Sequence, residues 1–231
     1  MKRALLTTAI AAGAAALLVP LVATADHRPG HEKSDKNPSL SIAADPNPVL
    51  WARPVTISGK LKGNDNANKT VELQENPFPF PGPFKELATT TTDAQGDYKI
   101  QALPAEHTNY RVVAQTAPPE TSGEVTVRVR MRINRRVSDR RPDKGDRVTF
   151  SGKVAPAHDG LTVRLQRKRP SGSWKTVGRT TLEDAGADDR QNSVYSINKK
   201  IRRKGVYRAR VQKHDDHLGN KSRKIRVRID S

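Results

Sequence analysis

The sequence predicts an all-β protein: two tandem antiparallel β-sandwich domains behind a signal peptide. Three observations carry this. Apolar and polar residues alternate with period two along much of the chain, the pattern of strands with one buried face. Clusters such as Gly63-Asn64-Asp65-Asn66, His158-Asp159-Gly160 and Ser171-Gly172-Ser173 punctuate these runs, and no window after residue 25 has helical periodicity. One half of the chain also repeats the other. Val55-Thr56-Ile57-Ser58-Gly59-Lys60 is echoed by Val148-Thr149-Phe150-Ser151-Gly152-Lys153, and Thr70-Val71-Glu72-Leu73-Gln74 by Thr162-Val163-Arg164-Leu165-Gln166. Further on, Phe84-Lys85 and Thr89-Thr90-Thr91 are answered by Trp174-Lys175 and Arg179-Thr180-Thr181, and Tyr110-Arg111-Val112-Val113 by Tyr207-Arg208-Ala209-Arg210. The matches are collinear, so one module occurs twice.

In chain order, residues 1–25 read as a secretory signal peptide. Lys2 and Arg3 precede an apolar run, and Ala23-Thr24-Ala25 offers small residues for cleavage. Residues 26–38 are polar, charged and aperiodic, the composition of a disordered leader. Module 1 is expected over 39–129, with strands at Val55–Leu61, Thr70–Gln74, Lys85–Thr91, Asp97–Gln101 and Tyr110–Ala114. Module 2 is expected over 130–231, with strands at Arg147–Val154, Thr162–Arg167, Trp174–Thr181, Ser193–Asn198 and Val206–Gln212. The clearest alternation, Val125 to Ile133, predicts one long strand that ends the first module and begins the second without a linker, with Met131-Arg132-Ile133 standing where Leu40-Ser41-Ile42 stands in module 1.

The chain has 231 residues and no cysteine, which excludes disulfides, thiolate metal sites and thiol nucleophiles. Each module must therefore be held by a packed core, which domains of about 100 residues can supply. A secreted, extracellular or envelope-associated monomer is expected, with no transmembrane segment once the signal is cleaved. Charge separates the halves. Residues 26–124 carry 10 Lys and Arg against 13 Asp and Glu, whereas residues 125–231 carry 30 against 11. Such asymmetry speaks of partners rather than of fold.

Ile57-Ser58-Gly59, Val71-Glu72-Leu73, Thr92-Asp93-Ala94-Gln95-Gly96-Asp97-Tyr98, Leu103-Pro104 and Tyr110-Arg111-Val112 together resemble carboxypeptidase regulatory-like domains, small transthyretin-like (prealbumin-like) sandwiches of secreted bacterial proteins. Val148-Thr149-Phe150-Ser151-Gly152 and Trp174-Lys175-Thr176-Val177 resemble the related bacterial Ig-like repeats. The second module departs from the Thr-Asp-Gly-Tyr pattern, with a longer Glu183–Asp189 segment before Tyr195. The resemblance implies an accessory or adhesive module and imports no peptidase, because no zinc-ligand spacing accompanies it.

Arg128, Arg130 and Arg132 alternate with apolar residues, as do Arg226 and Arg228, and Arg164 lies among the basic residues nearby. Residues on one strand face recur every ~6.7 Å, so each set forms a ladder. If the termini of module 2 pair as adjacent strands, the ladders merge into one basic face. Guanidinium groups suit phosphate and carboxylate through bidentate hydrogen bonds, so these six arginines are the expected contacts to a polyanion: a cell-wall polymer, an acidic glycan or a lipid surface. Nucleic acid is disfavoured, since stacking platforms need aromatic residues among the basic ones. Phe78 and Phe80, in a Pro-rich loop, are candidates for contact with a protein partner. The run His214-Asp215-Asp216-His217 reads as a polar hairpin loop and not a metal site, because no other ligand is obliged to approach it. Asp184, Asp188 and Asp189 lack the ligand spacing of a calcium loop. With no nucleophile elbow, HExxH or phosphate-cradling glycine loop, no enzyme, no catalytic residue and no cofactor are expected. The alternative to a binding module is a structural spacer without a ligand.

Overall fold

The computed structural model describes residues 39–230; the expected signal peptide and leader lie outside the described residues. The described chain is all-β, with one short 3-10 turn at Ala187–Asp189. In the first half, Ala43–Asp45, Val55–Lys60 and Asp97–Ala102 form one antiparallel sheet. Lys85–Thr91, Thr70–Pro77 and Thr108–Ala114 form the other, and Glu120–Thr121 and Val125–Val127 share its far edge. In the second half, Arg132–Ile133 and Arg136–Val137 flank Arg147–Ala155, which pairs with Ser193–Lys200 and through it with Glu183–Asp184. Facing this sheet are Trp174–Thr181, Thr162–Lys168 and Gly205–Val211, edged by Asn220–Lys221 and Ile225–Val227. Each of the five strands expected in either module is present within a few residues; the one expected at the junction is not.

Alternation places the apolar member of each pair between two sheets. Val55, Ile57, Leu73, Tyr98, Tyr110 and Val112 fill one core; Val148, Phe150, Leu165, Tyr195, Tyr207 and Val211 fill a second. Burial of a Val, Leu or Ile side chain stabilises by roughly 1.5–3 kcal/mol, so two such clusters supply what disulfides supply elsewhere.

The repeat extends to individual hydrogen bonds. Tyr98 donates its hydroxyl to the carbonyl of Ser41 at 2.6 Å, and Tyr195 donates to the carbonyl of Asn134 at 2.9 Å. Gly59 and Gly152 lie under these contacts, where an added Cβ would collide with the same two carbonyl oxygens. Ser122 exchanges bonds with Val112 (2.9 and 3.0 Å) as Ser222 does with Ala209 (2.9 and 3.0 Å). Arg111 donates to Gln74 and covers the Phe84 ring at 4.3 Å; Arg208 donates to Gln166 and covers Trp174 at 3.8 Å. Both ladders slip register after the equivalent leucines, Leu73 and Leu165. Because Ser41 answers Asn134, Leu40 corresponds to Ile133, two residues later than the expected match with Met131.

The expected long strand at the junction is three short ones. Val125–Val127 pairs with Thr108–Ala114, Val129–Arg130 runs parallel to Val49–Leu50, and Arg132–Ile133 pairs with Arg147–Ala155. Burial still alternates without a break: Val127, Val129 and Met131 are buried while Arg128, Arg130 and Arg132 are exposed. Val127 and Val129 belong to the first core and Met131 to the second. Alternation reports which face a residue takes; it does not report which strand lies alongside.

Candidate anion-binding surface

The basic residues of the second half are ordered by its strand register. Arg164 stands opposite Arg179 on one side and Arg210 on the other, and Arg210 stands opposite Lys221. Directly opposed residues share a face, so four cations cross four strands in one row at the ~4.8 Å strand spacing. The row lies on the outer face, because the intervening Val163, Leu165, Ala209 and Val211 are buried. Arg164 donates to Gln212 at 3.1 Å, while its Nε is buried without a partner. Burial first, and then the charge of Arg210, lower the pKa of neighbouring Arg208. Like charges facing across strands destabilise a sheet, so this row costs the fold stability.

A groove of about 1020 Å³ adjoins the row. Its lining includes Arg53 and Leu50 from the first half and Arg132, Arg135, Arg136, Lys153, Lys221 and Arg223 from the second, and no carboxylate among the described residues. Lys153 is paired with Asp189 at 2.6 Å. Tyr195 and Gly152 line the same groove, so the close packing around the Asn134 carbonyl shapes it. A second depression is lined by Arg130, Arg210, Lys213 and Lys221. Lys221 belongs to the row and to both depressions, which joins them into one basic surface.

The structure therefore brings together Arg130, Arg132 and Arg164 of the six expected arginines. Arg226 stands opposite Val206, farther along the outer face that carries the row, and Arg228 follows it, whereas Arg132–Ile133 pairs with Arg147–Ala155 in the opposite sheet. The two ladders do not merge by pairing. Arg128 is exposed beside Asn47, whose side chain accepts its backbone N–H at 3.0 Å. Arg53, Arg179, Arg210 and Lys221 were not singled out from the sequence. The available signal was the repeat itself, which sets Arg164 opposite Arg210 once Thr162–Lys168 is paired with Gly205–Val211. Phe78 and Phe80 are half-buried and pack edge to face at 5.7 Å, with the Phe78 N–H donated to the His107 carbonyl at 2.8 Å. Asp184, Asp188 and Asp189 are not gathered: Asp184 accepts from the Gly186 N–H and Asp189 from Lys153 and Asn192. The run His214-Asp215-Asp216-His217 is a loop, but it is not isolated, because His158 and His107 reach it.

No helix among the described residues is long and apolar enough to cross a membrane. No family model and no curated protein matches the sequence. Among solved structures, the chain is similar to the crystal structure of red sea bream transglutaminase, at 11% identity and a TM-score of 0.40, over 84% of this chain and 31% of that one. The chain thus spans less than a third of that protein's length. The expectation that the chain is not an enzyme is withdrawn on this finding, since the structure it is similar to is that of an enzyme. At that TM-score the likeness assigns the chain no activity of its own.

Proposed function

We propose that the chain is an exported binding protein whose basic second half holds an anionic polymer or surface, such as a phosphate-bearing cell-wall polymer, an acidic glycan or an anionic lipid face. The row Arg179, Arg164, Arg210 and Lys221 carries this reading. Its members repel one another, and a linear array of negative charge would relieve that repulsion along its whole length. Solubility alone would be served by cations scattered among carboxylates. The sandwich resemblance supports a scaffold role for the first half, and the hydrogen-bonded crossing between halves supports a reading as a spacer as well.

The test is binding of the full chain to linear polyphosphate and to an acidic polysaccharide across a salt series. Counterion release predicts a steep fall in affinity with salt for a linear polyanion. Replacing Arg164, Arg179, Arg210 and Lys221 together by Gln is expected to weaken binding by roughly 100-fold and to flatten the salt slope. Absence of binding at low salt, or binding indifferent to this fourfold change, overturns the proposal.

A further inference from the structure

All four histidines among the described residues, His107, His158, His214 and His217, gather around Asp216. They come from three loops, at the ends of Asp97–Ala102, Arg147–Ala155 and Gly205–Val211. His158 Nδ1 lies 3.0 Å from the carbonyl of Pro156, and His217 Nε2 lies 2.7 Å from the carbonyl of Ala105. A carbonyl oxygen only accepts, so each of these nitrogens carries the hydrogen. In the neutral form of each ring the other nitrogen presents a lone pair, and both point at the same carboxylate: His158 Nε2 is 3.1 Å from Asp216 Oδ1, and His217 Nδ1 is 3.1 Å from Oδ2. His217 is 3% exposed, and its Nδ1 is buried without a hydrogen-bond partner despite that proximity. With both rings neutral, three acceptors face one another and call for a shared cation.

We propose that His158 Nε2, His217 Nδ1 and the Asp216 carboxylate bind a divalent transition-metal ion of the zinc type. Their ligand atoms lie within 4.8 Å of one another. Tetrahedral ligands at ~2.0–2.1 Å from zinc sit ~3.3 Å apart, close to the two 3.1 Å separations here. The set of two imidazoles and one carboxylate suits zinc and its neighbours rather than calcium or magnesium. Backbone carbonyls already orient both rings, the usual outer partners of a metal-bound histidine. His214, more exposed than Asp216, holds the carboxylate through Nδ1, 2.6 Å from Asp216 Oδ1. Ala105 belongs to the first half, so the ion would pin a loop of the second half against the first.

Metal content and affinity of the full chain test this, with Zn²⁺ and Co²⁺ as probes. One equivalent of Zn²⁺ should bind and raise the unfolding midpoint, a chelator should reverse the rise, and Co²⁺ should give the visible absorption of a tetrahedral nitrogen–oxygen site. His158→Gln and Asp216→Asn should each weaken Zn²⁺ binding by about 100-fold or more, while His27→Gln with His31→Gln leaves it unchanged. Should a site variant fail to fold, the Co²⁺ spectrum of the unaltered chain decides by itself. No stoichiometric uptake, uptake abolished only by the His27/His31 change, or NMR showing both rings doubly protonated with zinc present overturns the proposal.

Discussion

The row that crosses the outer sheet face exists in both halves, with opposite content. Where the second half sets Arg179, Arg164, Arg210 and Lys221 side by side, the first half sets Thr89, Glu72, Val113 and Thr121 in the same register. Four positions that carry four positive charges in one copy carry a single negative charge in the other. The residues behind them hardly differ: Val71 and Leu73 against Val163 and Leu165, all buried, each pair followed by the same register slip. The comparison separates two kinds of position. Those that face the core or approach another backbone closely are tied to the shared architecture; those on the outer face are free to differ and hold the charge difference.

The shared set can be broken first. Gly59→Ala and Gly152→Ala should each destabilise the chain by about 3 kcal/mol or more, because the new methyl meets a backbone carbonyl that cannot retreat. Denaturant unfolding checks this, and a large loss at only one glycine would break the equivalence. The free set is sharpened by transplantation. Placing Arg or Lys at Thr89, Glu72, Val113 and Thr121 should raise polyanion affinity of the row-neutralised chain by roughly tenfold, at some cost in stability, read from the same salt series. Unchanged affinity would mean that the groove, not the row, selects the ligand. The smallest effect concerns a turn that belongs to the first half. Asp93 accepts the N–H groups of Gln95 and Asp97, both at 2.9 Å, and these hydrogen bonds lower its pKa. A carboxyl depressed in the folded chain stabilises above its unfolded value of about 3.9 and loses that contribution as pH falls through the folded value. Asp93→Asn should therefore lower stability slightly at neutral pH and flatten its decline on acidification below about pH 4, measured by urea unfolding across pH.

The strands were legible in the sequence because period-two alternation and turn residues are local signals. Lys85–Thr91 and Trp174–Thr181 have the expected limits. Partnership was less legible. Val125 to Ile133 reads as one strand because its alternation never falters, yet it changes partner twice. The expected merging of the Arg132 and Arg226 ladders failed for the same reason, their strands belonging to opposite sheets. The histidine cluster lay beyond local reading altogether. His158 and Asp216 are 58 positions apart and Ala105 and His217 are 112 apart; the first approach depends on how the second half folds and the second on how the two halves meet. Of the basic surface, the alternation placed Arg130 and Arg132 outward, whereas the row required the pairing of four strands, one pair of them distant in sequence.

The crossing between the halves has a mechanical consequence. Val49 and Trp51 donate to the carbonyls of Arg128 and Arg130 at 2.9 Å, and Leu218 bonds Val129 and Met131 at 2.8 and 3.0 Å. The chain is thus gripped on both flanks where it passes from one core to the next, and the Val49–Leu50 contact is parallel. A pull along the crossing loads that contact in shear, so its bonds must break together rather than unzip one by one. Tension on this protein would meet these bonds as a group at the point where one core gives way to the next.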